Sequence, residues 1–320
     1  MRTRQLSDGR VSLEVSQLCL GTMYFGYRTD EPTSLAILDR FTEAGGNFLD
    51  TANNYGQWHG DAGESERVIG RWRRSRGVGD EVVIATKVGA RTLLPGDPSP
   101  EHWQGLGAKS IREDAETSRR QLGVERLDLY YAHIDDRDTP QEETVDALAE
   151  LAEEGVVGLL GASNHATWRI DRGRAIARAA GRPAYQCVQQ EYSYLVAMPD
   201  RGQVNLITEE LVDYATAEGL HLLAYSPLLK GTYARPEQPL LAGYDHPSNR
   251  ARLAVLGEVA AGLGATPNQV VLAWLMGGDP PIIPVVGASS VAQLDEILGA
   301  VELRLDDDAR ERLDAAARQA

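Results

Sequence analysis

A short apolar run, a loop and an amphipathic stretch follow one another about eight times along most of the chain, and this alternation narrows the possible folds more than any other feature. The apolar runs are residues 18–21, 47–50, 82–86, 127–132, 156–161, 186–190, 221–224 and 282–284. Stretches with helical spacing lie between and after them, at 33–44, 64–74, 108–122, 144–153, 169–179, 207–217, 267–276 and 291–298. Thr266-Pro267 reads as an N-cap followed by proline at the first helical position, and Ala44-Gly45 as a glycine stop. A strand-helix unit repeated this often over about 250 residues predicts an α/β fold in which eight parallel strands close into a (β/α)8 TIM barrel. An open doubly wound sheet would more often carry a glycine-rich fingerprint after its first strand. Neither G-x-G-x-x-G nor G-x-x-x-x-G-K-[ST] occurs. Residues 3–6 and 11–15 flank Ser7-Asp8-Gly9-Arg10, an N-terminal β-hairpin placed to plug the barrel floor. Residues 250–263 and 306–319 are expected as extra C-terminal helices, and 92–107 as a long loop rich in Pro and Gly. Residues 1–320 are expected to form a single domain.

Of 320 residues, 42% are hydrophobic and 25% charged, enough to bury a substantial core. No apolar run approaches the roughly 18 residues of a membrane span, and the polar start from Met1 to Asp8 has no apolar segment behind it. Cys19 and Cys187 sit in apolar, strand-like runs as buried free thiols. A reducing, cytoplasmic setting is therefore expected. The net charge of −15 argues against a general nucleic-acid binder, which needs a basic surface to displace counterions. The sequence carries no signal for oligomeric state.

In a parallel barrel, reactive groups gather at the C-terminal ends of the strands. Those ends supply Asp50, Lys87 and His133, with Tyr55 in the loop Thr51-Ala52-Asn53-Asn54-Tyr55-Gly56. Each has an ordinary alternative: a turn cap, a solvated strand end, a core histidine, a packing aromatic. Together at successive strand ends they suit proton donation to a carbonyl. An isolated tyrosine titrates near ~10, and a neighbouring ammonium, Lys87, is expected to lower that value. Asp50 would keep Lys87 charged and in place. His133, neutral, would orient the substrate oxygen. The six histidines are scattered without ligand spacing, so no metal site is expected, and a hydride carrier is required. A Schiff-base role for Lys87 is disfavoured, because Asp50 would hold it protonated.

The segments Phe48–Gly56, Ala85–Gly89 and Tyr131–His133 resemble, in order, the catalytic segments of the aldo-keto reductase superfamily, in the branch with bacterial aldo/keto reductases and potassium-channel β subunits. Gly161-Ala162-Ser163-Asn164, Val188–Ser193, Ala224-Tyr225-Ser226-Pro227-Leu228 and Ile283–Ser289 continue the likeness. It extends from Leu18 to Ala300. The resemblance implies a carbonyl reductase with NADPH as cofactor, NADH also being compatible, and a small aldehyde or ketone as substrate. It implies that Gly21, Thr22 and Met23 line the mouth at the first strand. Ser163, Asn164 and Gln189 would hold the nicotinamide carboxamide, and Tyr225 would stack on its ring. Ser226, Pro227, Leu228, Lys230 and Gly231 would lie along the pyrophosphate, and Gly287, Ser289, Gln293 and Glu296 would hold the adenosine end.

Three departures stand out. Ile134-Asp135-Asp136 replaces the commoner Arg-Pro-Asp after His133, and Ile297 stands where many relatives place an adenine-reading asparagine. Between Gly287 and Glu296 there is no Arg or Lys for a 2′-phosphate, which leaves Arg235 or Lys230. Tyr24, Trp58, Trp103 and Tyr192 are the expected substrate walls, and loops 24–29, 92–107 and 192–205 are expected to set specificity. The alternative is a cofactor-sensing regulatory subunit with little turnover, as the likeness to channel β subunits would allow.

Overall fold

The computed structural model describes residues 1–318 except 61, 98, 199–204 and 236. The strands β3 (Cys19–Gly21), β4 (Phe48–Asp50), β5 (Val83–Val88), β6 (Leu127–Ala132), β7 (Val157–Ser163), β8 (Tyr185–Glu191), β9 (His221–Tyr225) and β10 (Ile283–Val286) close in the order β10-β3-β4-β5-β6-β7-β8-β9. Every neighbouring pair is parallel. This is the expected TIM barrel.

The two-residue period of a strand sorts its side chains into two cores. Phe48, Val83, Ala85, Leu129, Tyr131, Leu159, Cys187, Leu223 and Ile283 fill the interior. Leu49, Ile84, Tyr130, Leu160 and Val188 point outward to the helices. Tyr131 is too large for a uniform layer, and Gly161 on the neighbouring strand makes room for it: a Cβ on Gly161 would collide with the Tyr131 ring. Both cysteines are buried and free.

An antiparallel hairpin, β1 (Thr3–Ser7) and β2 (Ser12–Ser16), closes the floor. Its Leu6, Leu13 and Val15 join the interior core. The backbone N of Ser7 donates to His221 Nε2 at 3.2 Å, and the Arg4 guanidinium donates to the Met276 carbonyl at 2.6 Å.

The helices are α1 (Glu31–Glu43), α2 (Glu64–Arg76), α3 (Ala108–Leu122), α4 (Gln141–Glu153), α5 (Thr167–Ala179), α6 (Glu209–Glu218), α7 (Pro247–Leu263), α8 (Pro267–Met276), α9 (Val291–Leu298) and α10 (Asp307–Arg318). Thr266 caps α8 in a reciprocal capping box with Gln269. The expected helices 250–263 and 306–319 correspond to α7 and α10, and residue 319 lies outside the described residues. Among the described residues, no single helix is long and apolar enough to cross a membrane.

Several boundaries shift at polar residues. Apolar patterning ends strands at 86 and 161, whereas β5 continues through Lys87 and β7 through Ser163. These polar side chains belong to the ladder, at the mouth where the site lies. Likewise α4 begins at Gln141 rather than 144, because its first turn carries the exposed Glu142 and Glu143. Conversely, α6 begins at Glu209 rather than 207, because Thr208 is its N-cap and accepts from Leu211 N at 3.1 Å.

Candidate active site

The side chains of Asp50, Lys87 and Tyr55 meet at the barrel mouth. Lys87 Nζ donates to Asp50 Oδ1 at 2.5 Å, to the Thr51 carbonyl at 2.8 Å and to Tyr55 Oη at 3.1 Å. Gln189 Nε2 donates to Asp50 Oδ2 at 2.7 Å. Lys87 is fully buried and Asp50 nearly so. An ammonium at such depth stays charged only if its donors are satisfied, and here three acceptors take them. Burial pulls the Lys87 pKa down, but the Asp50 carboxylate and the Tyr55 hydroxyl outweigh it, and the net direction is upward.

Tyr55 departs from expectation. Burial pushes its pKa up by more than Lys87 pulls it down, so the phenol sits above its ordinary value rather than below. The phenol is held protonated, the form a proton donor requires. Across from it stands His133, whose ring centroid lies 6.1 Å from that of Tyr55 in an edge-on arrangement. Burial, with the Lys87 charge adding to it, holds His133 well below the ordinary histidine value, so the imidazole is neutral. Its Nδ1 is buried without a hydrogen-bond partner in the structure.

Beside this group the ends of β7, β8 and β9 form a connected polar set. Tyr225 Oη donates to Asn164 Oδ1 at 2.8 Å, and Asn164 Nδ2 donates to the His133 carbonyl at 3.0 Å and to Ser163 Oγ at 3.2 Å. Asn164 adopts φ 60°, a left-handed conformation that asparagine tolerates. Thr22 is committed to structure: its hydroxyl donates to the Asp50 carbonyl at 2.9 Å and lies 2.7 Å from Ser65 Oγ. Gly21 and Met23 flank it, both half-buried.

After β9 the chain turns tightly. Ser226, Leu229, Lys230 and Gly231 have φ of 54°, 45°, 58° and 84°. Pro227 and Leu228 lie inside this turn, and the Pro227 carbonyl accepts from Ser193 Oγ at 2.5 Å. Arg235 Nε donates to the Gly231 carbonyl at 3.3 Å, and its Nη2 to the Lys230 carbonyl. At the eighth strand end Gly287 is exposed, and Ser289 N and Oγ both donate to Gln293 Oε1 at 2.8 Å. Glu296 is turned toward α8, where Thr266 Oγ1 donates to it at 2.5 Å and Asn268 Nδ2 at 3.2 Å. Its carboxylate thus ties α9 to α8.

The expected substrate walls each have their own neighbours. Trp58 lies beside Tyr55, ring centroids 6.4 Å apart, and is 41% exposed. Tyr24 meets Tyr27 edge-on at 5.9 Å, and Tyr27 lies 5.0 Å from His59, the neighbour of Trp58. Trp103 forms a bridge with Thr92 inside the long loop. The Tyr192 ring stacks on Trp274 of α8, ring centroids 5.9 Å apart. Residues 199–204 of the expected loop 192–205 lie outside the described residues.

Two groups escaped the sequence reading. One is the Tyr27–His59 pair. The other is Asp114, a buried acidic residue on α3 that accepts from Asn53, Arg91 and Gln104. Its signal was legible: Ile111, Asp114, Ala115, Ser118 and Leu122 share the helix's buried stripe, and an acid on such a stripe needs a partner.

The Aldo/keto reductase family matches residues 17–318, and the chain belongs to that family. It is 34% identical to the uncharacterized oxidoreductase YrpG of Bacillus subtilis, over 93% of this chain and 91% of that protein. It is 32% identical to the norsolorinic acid reductase stcV of Emericella nidulans, over 92% of this chain and 76% of that one. With the aryl-alcohol dehydrogenase [NADP(+)] of Phanerodontia chrysosporium it shares 29% identity, over 95% of this chain and 83% of the relative.

Proposed function

We propose that the chain, working as one barrel unit, is an NAD(P)H-dependent carbonyl reductase in which Tyr55 gives a proton to the oxygen of an aldehyde or ketone. The buried row Gln189–Asp50–Lys87–Tyr55 carries this reading. It fixes a protonated phenol against a cation that favours the charge left behind as the proton departs. The neutral His133 orients the substrate oxygen. Reduced nicotinamide, when bound, supplies the hydride.

The residues present fit such a cofactor. Ser163, Asn164 and Gln189 offer the amide and hydroxyl groups that a carboxamide needs, with the Tyr225 ring beside them. The left-handed run Leu229–Gly231 and the cationic Lys230 and Arg235 suit a pyrophosphate, as concave backbone turns do. A Cβ on Gly287 would come no closer than 3.9 Å to its nearest neighbour, the Gly21 carbonyl, so the backbone is approachable there. NADPH is the proposed cofactor, with Lys230 or Arg235 meeting its extra phosphate, and NADH is accepted as well.

Aromatic carbonyl compounds are the proposed substrates. The Trp58 ring beside Tyr55 and the adjoining cluster of Tyr24, Tyr27 and His59 support this, as does the likeness to the aryl-alcohol dehydrogenase of Phanerodontia chrysosporium. The two buried free thiols support a reducing, cytoplasmic setting.

The test is consumption of NADPH and NADH with aromatic and aliphatic aldehydes, wild type beside Tyr55→Phe. Turnover that collapses in the variant while cofactor binding persists supports the reading. Tight cofactor binding without turnover of any carbonyl would move it to a cofactor-sensing subunit. Failure to bind either cofactor would overturn it.

A further inference from the structure

We propose that Asp114 is a positioning residue that locks the loop carrying Tyr55 to the long loop after β5, so that the two move as one body. This rests on the reading of Tyr55 as proton donor. Asp114 is 4% exposed, yet all its side-chain partners come from outside its own helix. Asn53 Nδ2 and Gln104 Nε2 both donate to Oδ2, and the Arg91 guanidinium donates to Oδ1 at 2.9 Å. Asn53 lies two residues before Tyr55, and its backbone N donates to the Lys87 carbonyl at 3.2 Å. Arg91 and Gln104 are the two stems of the long loop, joined by Gln104 N donating to the Arg91 carbonyl at 2.9 Å.

Further contacts run across the same boundary. Asn54 Nδ2 and Gln57 Nε2 donate to the Ala90 carbonyl at 3.3 and 3.2 Å. Thr92 N donates back to Gln57 Oε1 at 2.9 Å. Tyr55 is therefore bracketed by residues 53, 54 and 57, each fastened to the long loop or to its shared carboxylate.

Packing alone does not require this device. The same helix face carries Ile111, Ala115 and Leu122, and apolar contacts of similar volume commonly stabilise as well as a buried ion pair. What the carboxylate adds is geometry. It gathers donors from two loops at one point, and Lys87 leaves Tyr55 one place to stand. A displacement of about 1 Å in such a group can cost on the order of 100-fold in rate.

The experiment compares wild type, Asp114→Asn and Arg91→Met in hydrogen exchange and steady-state kinetics, with active sites counted by NADPH binding. Arg91 is two-fifths exposed at its side chain, so its variant keeps the fold if Asp114→Asn does not. Both variants are expected to raise amide exchange in residues 53–57, although neither substitution lies in that segment. Per cofactor-binding site, kcat should fall about 10- to 100-fold in Asp114→Asn and about 3- to 10-fold in Arg91→Met. NADPH affinity should stay within about twofold, and the alkaline limb of the kcat profile should move as Tyr55 shifts against Lys87. Unchanged exchange at 53–57, or kcat per site within about twofold of wild type in both variants, overturns the proposal. If wild type turns over no carbonyl, the reductase reading fails while the exchange data still decide the coupling.

Discussion

Gln189 reaches across the barrel mouth from β8 and donates to one oxygen of Asp50 at 2.7 Å, while Lys87 takes the other at 2.5 Å. Asp50 is thus fixed by partners on both sides, and its ion pair with Lys87 is buried.

Removing one charge of that pair should be costly. In Asp50→Asn the buried Lys87 ammonium keeps the Thr51 carbonyl and the Tyr55 hydroxyl but loses its counter-ion. Breaking a buried pair typically costs about 3–5 kcal/mol, and urea unfolding at neutral pH should show a loss of that order. Because folding raises the Lys87 pKa, the pair's contribution is fully present below the unfolded lysine value and is lost only as pH rises through the folded one. The deficit should therefore be constant from about pH 6 to about pH 9. A change below about 1 kcal/mol would mean that Lys87 is not charged in the folded protein.

The pH profile of reduction follows from Tyr55 and His133. Burial holds the phenol above its ordinary value, and burial with Lys87 holds the imidazole neutral. Neither group should then titrate between about pH 7 and about pH 9, and kcat for aldehyde reduction should be flat there. Activity should disappear only as pH rises through the Tyr55 pKa. Lys87→Met should move that limb further up and cut turnover by about 100-fold or more. A wild-type limb near neutrality assigned to Tyr55 would contradict this.

Glu66 offers a stability test outside the reactive group. It is buried on α2, accepts from Thr86 Oγ1 at 2.6 Å, and is pushed up to about 7 chiefly by burial, with nearby Asp114 adding to the shift. The folded state therefore binds a proton that the unfolded chain releases at lower pH. Stability from this group falls as pH rises from the ordinary glutamate range to about 7, then levels off. Glu66→Gln should remove that slope and be more stable than wild type at pH 8, by up to about 3 kcal/mol. Parallel stability curves for the two proteins between about pH 5 and about pH 8 would sink the idea.

Gly161→Ala tests the packing inside the barrel. The added methyl would strike the ring of Tyr131, which is fully buried and cannot swing into solvent. A loss of about 1–3 kcal/mol in urea unfolding is expected. A neutral result would show that the ring has room to retreat.

Much of this was legible in the order of residues. Period-2 and period-3.6 stretches alternated, so all eight barrel strands could be placed. Asp50, Lys87 and Tyr55 could be grouped because strand ends in such a barrel converge. What escaped was what a pattern does not encode. Lys87 and Ser163 look like loop residues because they are polar, but the ladder continues through them. The stacking of Tyr192 on Trp274 joins residues distant in sequence, which no local pattern announces. The direction of the Tyr55 shift depends on burial outweighing one nearby cation, which requires knowing how deep the ring lies.

The hairpin that seals the floor carries a consequence for how the molecule is made. Ser7 bonds to a residue 214 positions later, and Arg4 to one 272 positions later. The hairpin therefore cannot make these bonds until nearly all of the barrel has been synthesised. Leu6, Leu13 and Val15 stay unburied in the meantime, and contacts of such long range form slowly. Closing the barrel and plugging it are late events, and a nascent chain stalled before Met276 would carry an open, sticky base for chaperones to cover.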